Sequence, residues 1–147
     1  YLTAYCYYLE APKHSLDQAY TFKAINEIQL YINTHPNSEK LEDCNAYMEE
    51  LRGKLELKSY EIAYQYFKTK QYKAAMTAFA TTVSEYPDTP YREDALYYKT
   101  LAAFKLANNS LESLQDERFT EAKTALNDFE EAFPESERLE DLRKLIH

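Results

Sequence analysis

Thr82-Val83-Ser84-Glu85-Tyr86-Pro87-Asp88-Thr89 decides the fold, because the same pattern is written twice more in the chain. It appears earlier as Tyr31-Ile32-Asn33-Thr34-His35-Pro36-Asn37-Ser38 and later as Phe129-Glu130-Glu131-Ala132-Phe133-Pro134-Glu135-Ser136. Each block ends on an aromatic ring, a proline, a polar residue and a hydroxyl, in that order. Proline stops the preceding helix, since it lacks an N–H and its ring clashes with the carbonyl four residues back. Ser38, Thr89 or Ser136 can then cap the next helix by accepting one of its orphan N–H groups. Three helix-to-helix turns are predicted.

The register holds on both sides of Pro36, Pro87 and Pro134. Leu41-Glu42-Asp43, Arg92-Glu93-Asp94 and Leu139-Glu140-Asp141 fall at one offset after the prolines, with acids in the first helical turn where the dipole favours them. Twelve residues before each proline stand Ala24, Ala75 and Ala122; eight before stand Ile28, Phe79 and Leu126. Small and large residues recur in phase, as close helix packing requires.

These offsets resemble the tetratricopeptide repeat, with Ala63 and Tyr66 at its first-helix small and aromatic positions. The spacing departs from that repeat's norm of about 34 residues: Pro36 to Pro87 covers 51 positions and Pro87 to Pro134 covers 47. In the first interval an apolar stripe of Leu41, Cys44, Met48, Leu51, Leu55 and Ile62 predicts one helix of about 30 residues over 39–69. Gly53 inside it costs about 1 kcal/mol relative to alanine. In the second interval Ala107 to Glu117, opening on Asn108-Asn109-Ser110, reads as an elongated, mobile loop. The map is a partial helix at 1–10, a loop at 11–15, and helices near 16–34, 39–69, 71–86, 90–107, 116–133 and 137–146. Ser15 is the expected cap of the second helix. The fold class is all-α, a tetratricopeptide-like stack of helical hairpins with one long helix. It is expected as a single repeat domain over 1–147, with parts at about 1–38, 39–89 and 90–147.

Composition agrees. One glycine in 147 residues, against an ordinary share of about 7 %, leaves little for the turns of a β-rich chain. Fifteen tyrosines, seven phenylalanines and no tryptophan give half-buried positions rings that pack while their hydroxyls stay wet. A net charge of −8 without a Lys/Arg cluster argues against nucleic acid and against direct adhesion to anionic lipid surfaces. No apolar run approaches the roughly 20 residues of a membrane-spanning helix. Tyr1 lies inside an apolar helical pattern (Leu2, Tyr5, Cys6, Leu9), so the chain is expected to start mid-element and to lack its true N-terminus.

The residues argue against catalysis and against a metal or cofactor. His14, His35 and His147 stand far apart, and none pairs with another ligand at helical spacing; His35 is expected at a helix C-terminus. Glu49-Glu50 and Glu130-Glu131 read as solvated helix faces, and there is no phosphate-binding glycine loop, nucleophile elbow or zinc helix. Cys6 and Cys44 are open to burial as small apolar residues, to a single bridge or to a free thiol; burial is the expectation. The informative candidates are aromatic: Tyr5, Tyr7 and Tyr8, then Tyr60, Tyr64, Tyr66 and Phe67, then Tyr91, Tyr97 and Tyr98. At their spacings part of each group must be core.

With its repeats aligned, the chain resembles BamD, the lipoprotein family of the machinery that folds β-barrel proteins into the outer membrane of Gram-negative bacteria. The likeness lies in succession: Ser15-Leu16-Asp17-Gln18, Ala24, the Tyr31–Ser38 turn, a long helix, Tyr60-Glu61-Ile62-Ala63-Tyr64-Gln65-Tyr66-Phe67, and Tyr86-Pro87-Asp88-Thr89-Pro90-Tyr91. The resemblance implies a non-enzymatic scaffold at the periplasmic face of the outer membrane. Its partners would be the barrel-forming subunit, accessory lipoproteins and unfolded outer-membrane substrates. A lipid-modified cysteine outside this chain would anchor it, so Cys6 is not that residue. The partner face then falls on the helices at 59–107 and the final hairpin, with Tyr64, Phe67, Tyr91, Arg92, Tyr97 and Tyr98 as candidate protein-binding residues. One departure is the helix at 71–86, whose Ala74, Ala75, Ala78 and Ala80 leave only Lys73 basic in its body and disfavour a strongly charged contact. Alternatives are a periplasmic repeat protein coordinating cell-envelope division and an envelope hydrolase accessory fused to repeats.

Overall fold

The computed structural model describes residues 1–11 and 18–146. Among them are seven helices and no strand: α1 (Leu2–Glu10), α2 (Ala19–Thr34), α3 (Leu41–Lys68), α4 (Tyr72–Glu85), α5 (Arg92–Asn108), α6 (Glu112–Ala132) and α7 (Arg138–Arg143). The fold is all-α and tetratricopeptide-like. The contacts divide the chain into two compact units, Tyr1–Lys58 and Ser59–His147, and α3 runs through the division. Ser15, His14 and the 11–15 loop beyond Ala11 lie outside the described residues, as does His147.

The three proline turns share one pattern of backbone hydrogen bonds. The residue before each proline is driven out of the helical region by the proline ring. His35, Tyr86 and Phe133 accordingly hold φ between −127 and −136° and ψ between 61 and 71°. Each closes its helix by donating an N–H to the carbonyl four residues back, on Tyr31, Thr82 and Phe129. The turn hydroxyls then accept the N–H two residues on: Lys40 to Ser38 at 3.1 Å, Tyr91 to Thr89 at 3.3 Å and Arg138 to Ser136 at 3.2 Å. Ser38 and Thr89 thus hold the N–H one residue before the regular helix and Ser136 the first helical N–H, while the N-cap positions Tyr91 and Glu137 carry no side-chain cap.

α3 ends differently. Lys70 takes a left-handed φ of 63°, and Lys70 N–H and Gln71 N–H bond back to the carbonyls of Phe67 and Tyr66, closing a Schellman cap. The helix covers 28 residues, close to the 30 expected. Gly53 sits in open space on it.

In the first unit Ala24 and Ile28 of α2 pack with Ala4 of α1 and with Cys44, Met48 and Leu51 of α3. In the second, Ala63 of α3 meets Ala75 and Phe79 of α4 and Ala95 and Ala102 of α5. A neighbouring cluster joins Phe104 to Ala122, Leu126 and Phe129 of α6 and to Leu139 and Leu142 of α7. Ala24, Ala75 and Ala122 are wholly buried. Phe79 and Phe129 are buried as well, each worth about 1.5–3 kcal/mol of transfer free energy.

Three expectations need correction. The elongated loop at 107–117 is absent: α5 runs to Asn108, α6 starts at Glu112, and only Asn109 to Leu111 connect them. Ser110 Oγ bonds back to the Leu106 carbonyl at 2.5 Å, Arg118 bonds to that hydroxyl, and Gln115 Nε2 reaches the Ser110 carbonyl at 3.3 Å, so the surplus residues join the helices. Cys6 is exposed, with Leu2 (76 %) and Leu9 (62 %) on the same outer stripe of α1; the inward positions belong to Ala4, Tyr8 and Ala11. Cys44 is buried, and both thiols are free. Ile62, expected on the apolar stripe of α3, is exposed instead, because the face of α3 that turns inward after Leu55 is that of Tyr60, Ala63 and Phe67.

Two additions of side-chain volume should therefore act in opposite directions. Ala75→Phe has no space to fill and should cost about 1–3 kcal/mol through overpacking, lowering the urea midpoint. Gly53→Ala adds a methyl to open space in a helix interior and should raise stability by up to about 1 kcal/mol, read in the same urea titration. An unchanged midpoint for Ala75→Phe would contradict the repeat register.

Candidate functional site

Tyr60, Tyr64 and Phe67 stand at i, i+4 and i+7 on α3 and so share one face. In the second unit that face is ring against ring. Tyr60 stacks on Tyr91 with centroids 5.2 Å apart, Tyr64 meets Tyr98 edge-on at 5.0 Å, and Phe67 lies 5.2 Å from Tyr98 and 5.8 Å from Tyr72. Tyr97 meets Tyr98 at 5.1 Å and Phe129 at 6.5 Å. Five of the six candidate residues, Tyr64, Phe67, Tyr91, Tyr97 and Tyr98, thus join one aromatic ribbon, every one of them half-buried. Such pairs are worth about 0.5–1.5 kcal/mol each beyond area burial. Arg92, the sixth, starts α5 half-buried and makes no ion pair among the described residues.

A polar clamp closes one edge of the ribbon. Arg138 pairs with Asp94, and its guanidinium carbon lies 4.6 Å from the centre of the Tyr97 ring. Ser136 donates to Glu93 at 2.6 Å. Burial opposes the charge on Arg138, but the bond and attraction to Asp94 outweigh it and hold its pKa above the usual arginine value. Burial, then the Asp94 charge, pushes the Tyr60 phenol well above the ordinary tyrosine range; burial raises Tyr98 too.

The residue two past each turn hydroxyl recurs in this role. Arg138 lies on Tyr97; Tyr91 stacks on Tyr60; and Lys40 sits 5.3 Å from the centre of Tyr1. Each time a flat or cationic side chain leaves the turn and covers a tyrosine of an earlier part of its own unit.

On its other side α3 leaves Ile62 and Tyr66 exposed. Tyr66 borders an open trough of about 560 Å³ whose remaining lining is Lys73, Ala74, Thr77 and Ala78 of α4. A second hollow, of about 320 Å³, shares Lys73 and Thr77 and continues over Met76, Leu106 and Leu114 to Glu117, Arg118 and Glu121 of α6. The small side chains of α4, Ala74, Thr77 and Ala78, leave this trough open.

The first unit carries a separate tyrosine cluster. Tyr8 lies 4.2 Å from Tyr47; Tyr5 lies 5.6 Å from Tyr47 and 6.1 Å from Tyr1. Tyr8 donates to Glu50, which with burial raises its pKa to about 12; a hydrogen bond with Tyr1, then burial, raises Tyr47 to about 12. Tyr1 and Tyr47 were not among the candidates, although Tyr47 lies beside Met48 on the α3 stripe, where the helical period could have found it.

Of the remaining polar candidates, His35 and Glu130 have structural partners. His35 is the C-cap of α2 and stacks on Tyr31 at 4.6 Å. Glu130 pairs with Arg143, and Glu49 and Glu131 are exposed. Among the described residues there is no metal-binding group of His, Cys, Asp and Glu, and no helix long and apolar enough to cross a membrane.

Hairpins with alanine in the seam and half-buried rings at the rim define an all-α protein of the tetratricopeptide-like class. Comparison with curated proteins finds no significant match. The family described as YfiO, outer membrane lipoprotein, matches residues 1–110. The chain belongs to that family.

The Tyr8–Glu50 bond gives a pH signature. A phenol whose pKa is raised from 10 to about 12 contributes stability that is complete below pH 10 and is lost as pH rises through 12. Tyr8→Phe removes that contribution, so the gap in urea midpoint between wild type and variant should be constant up to pH 10 and narrow towards pH 12. A gap that widens over this interval would contradict the assignment.

Proposed function

We propose that the protein is a non-enzymatic scaffold for assembly and insertion of β-barrel proteins into the bacterial outer membrane. It is held at the periplasmic face of a Gram-negative outer membrane by an N-terminal lipid. It binds the barrel-forming subunit and accessory lipoproteins and helps receive unfolded outer-membrane substrates. Membership of an outer membrane lipoprotein family carries this reading, and the matched residues include α3, α4 and α5, which bear the ribbon and much of the trough.

The geometry supports binding over chemistry. Interface anchors are enriched in tyrosine and arginine set in partly desolvated surroundings. Tyr64, Phe67, Tyr91, Tyr97 and Tyr98 offer such rings with little side-chain entropy left to lose, because their neighbours already hold them; Arg92 adds a guanidinium that no carboxylate of the described residues engages. The open trough beside Tyr66 is apolar enough to seat a partner's side chains.

The test is recovery of the tagged intact protein from detergent-solubilised outer membranes. The barrel-forming subunit should co-purify, and Tyr91→Ala with Tyr97→Ala should lower its recovery about tenfold, the loss expected when anchors worth about 1.4 kcal/mol are removed. The variant's helical content should persist. Absence of any barrel-assembly subunit from the wild-type eluate would sink the proposal.

A further inference from the structure

From Ile62 to Ser84 the chain carries three lysines, Lys68, Lys70 and Lys73, and no aspartate or glutamate, although 25 acids stand among its 147 residues. That run forms the end of α3, the Schellman cap and nearly all of α4. The hairpin is therefore a positive island on a chain of net charge −8. It also bears the trough of about 560 Å³ beside Tyr66. The apolar lining of that trough is open to solvent. Tyr66 is 37 % exposed, Ala74 and Ala78 are only half-buried, and Ile62, one helical turn before Tyr66, is 46 % exposed.

The repeat shows that these alanines are particular to α4. Ala74 and Ala78 stand thirteen and nine residues before Pro87; the same offsets give Lys23 and Glu27 before Pro36, and Glu121 and Ala125 before Pro134. The fold accepts charge at both positions, yet α4 holds alanine at each. Alanine at i and i+4 beside a large ring lets a second backbone come close, as helix packing requires. Lys73 lines the trough and makes no ion pair among the described residues, and the cap that ends α3 fixes the place from which Lys70 leaves the backbone. Glu117 and Glu121 bound the neighbouring hollow that shares Lys73 and Thr77. They repel an acidic segment laid across α6, so the direction left open runs along α3 and α4.

We propose that this trough docks an acidic amphipathic helix of a partner protein, its apolar side chains on Ile62, Tyr66, Ala74 and Ala78 and its carboxylates on Lys70 and Lys73. The proposal deepens the scaffold reading above and rests on it. Apolar contact supplies most of the affinity, and the lysines select the sign of the partner's charge. Elsewhere the chain's acids favour a basic partner, so recognition of an acidic one is specific to this hairpin.

The experiment titrates the intact protein with three synthetic peptides of about five helical turns each, followed through the methyl NMR signals of Ile62, Ala74 and Ala78. One peptide carries leucine at i, i+3, i+4 and i+7 spacing and glutamate elsewhere; the second has lysine for every glutamate; the third keeps the first's composition in an order without an apolar face. The acidic amphipathic peptide should give saturable shifts at those methyls, the lysine peptide should bind at least about tenfold more weakly, and the reordered peptide should give none. Lys70→Gln with Lys73→Gln should weaken the acidic peptide about tenfold, the scale of two surface ion pairs. Ala74→Glu with Ala78→Glu should abolish its binding and leave the melting temperature unchanged, since Glu121 and Glu27 hold the equivalent positions in α6 and α2. Equal binding of the acidic and lysine peptides, or saturable binding of the reordered one, overturns the proposal. So does a wild-type dimer in sedimentation velocity that Ala74→Glu with Ala78→Glu dissolves, which would assign the trough to a second copy of this chain. Absence of any shift with the acidic peptide overturns the trough alone; the scaffold reading falls only if the barrel-forming subunit fails to co-purify.

Discussion

The steric push of a proline ring on the residue before it is the constraint from which the rest follows. At His35, Tyr86 and Phe133 that push sets a ψ between 61 and 71°, which a helix cannot propagate. The chain leaves the helix in the same direction each time, so the hydroxyl two residues past the proline meets the same N–H each time. A turn repeated this closely delivers its next side chain to an equivalent place. Lys40, Tyr91 and Arg138 consequently each find a tyrosine face. One covalent ring thus governs backbone direction, capping and the positions of three aromatic contacts.

What the turns deliver is not equally stable. Lys40 over Tyr1 is a single cation–π contact, worth about 0.5–1 kcal/mol at an exposed site. Tyr91 on Tyr60 is a stacked pair that extends into the ribbon. Arg138 adds an ion pair with Asp94 to its contact with Tyr97, beside the Ser136–Glu93 bond. The third turn is therefore the most strongly tied, and it secures α7, a helix of only six residues that would be marginal without tertiary support.

The parts of the fold that sequence reveals are those with one physical solution. A proline before a polar residue and a hydroxyl has few backbone outcomes, and Ala24, Ala75 and Ala122 in phase with it could only mark close packing. The long helix was legible because the stripe from Leu41 to Leu55 never breaks. Asn108-Asn109-Ser110 misled because these residues favour turns without dictating length; the back-bond from Ser110 and the reach of Arg118 shortened the connection, and neither has a local signature. α1 misled for another reason. Its period offers two stripes, Leu2-Cys6-Leu9 and Ala4-Tyr8-Ala11, and tyrosine's dual character hides which one faces inward. The same duality left the aromatic candidates undivided until their partners were known.

The ribbon and the seam beneath it have a common cause. Where α3, α4 and α5 meet, the buried residues are Ala63, Ala75, Ala95 and Ala102 around a single large one, Phe79. Alanine lets the helix axes approach, and axes that approach leave no interior volume for Tyr60, Tyr64, Phe67 or Tyr98. Those rings must lie along the edge of the seam, buried on one side and open on the other. The tyrosines among them keep their hydroxyls near the edge, where Tyr98 bonds with Tyr64, although burial still raises the Tyr60 and Tyr98 phenols. A larger core residue in place of these alanines would separate the helices and draw the rings inward, so close packing inside the second unit and a half-buried aromatic rim outside it are one solution to one packing problem.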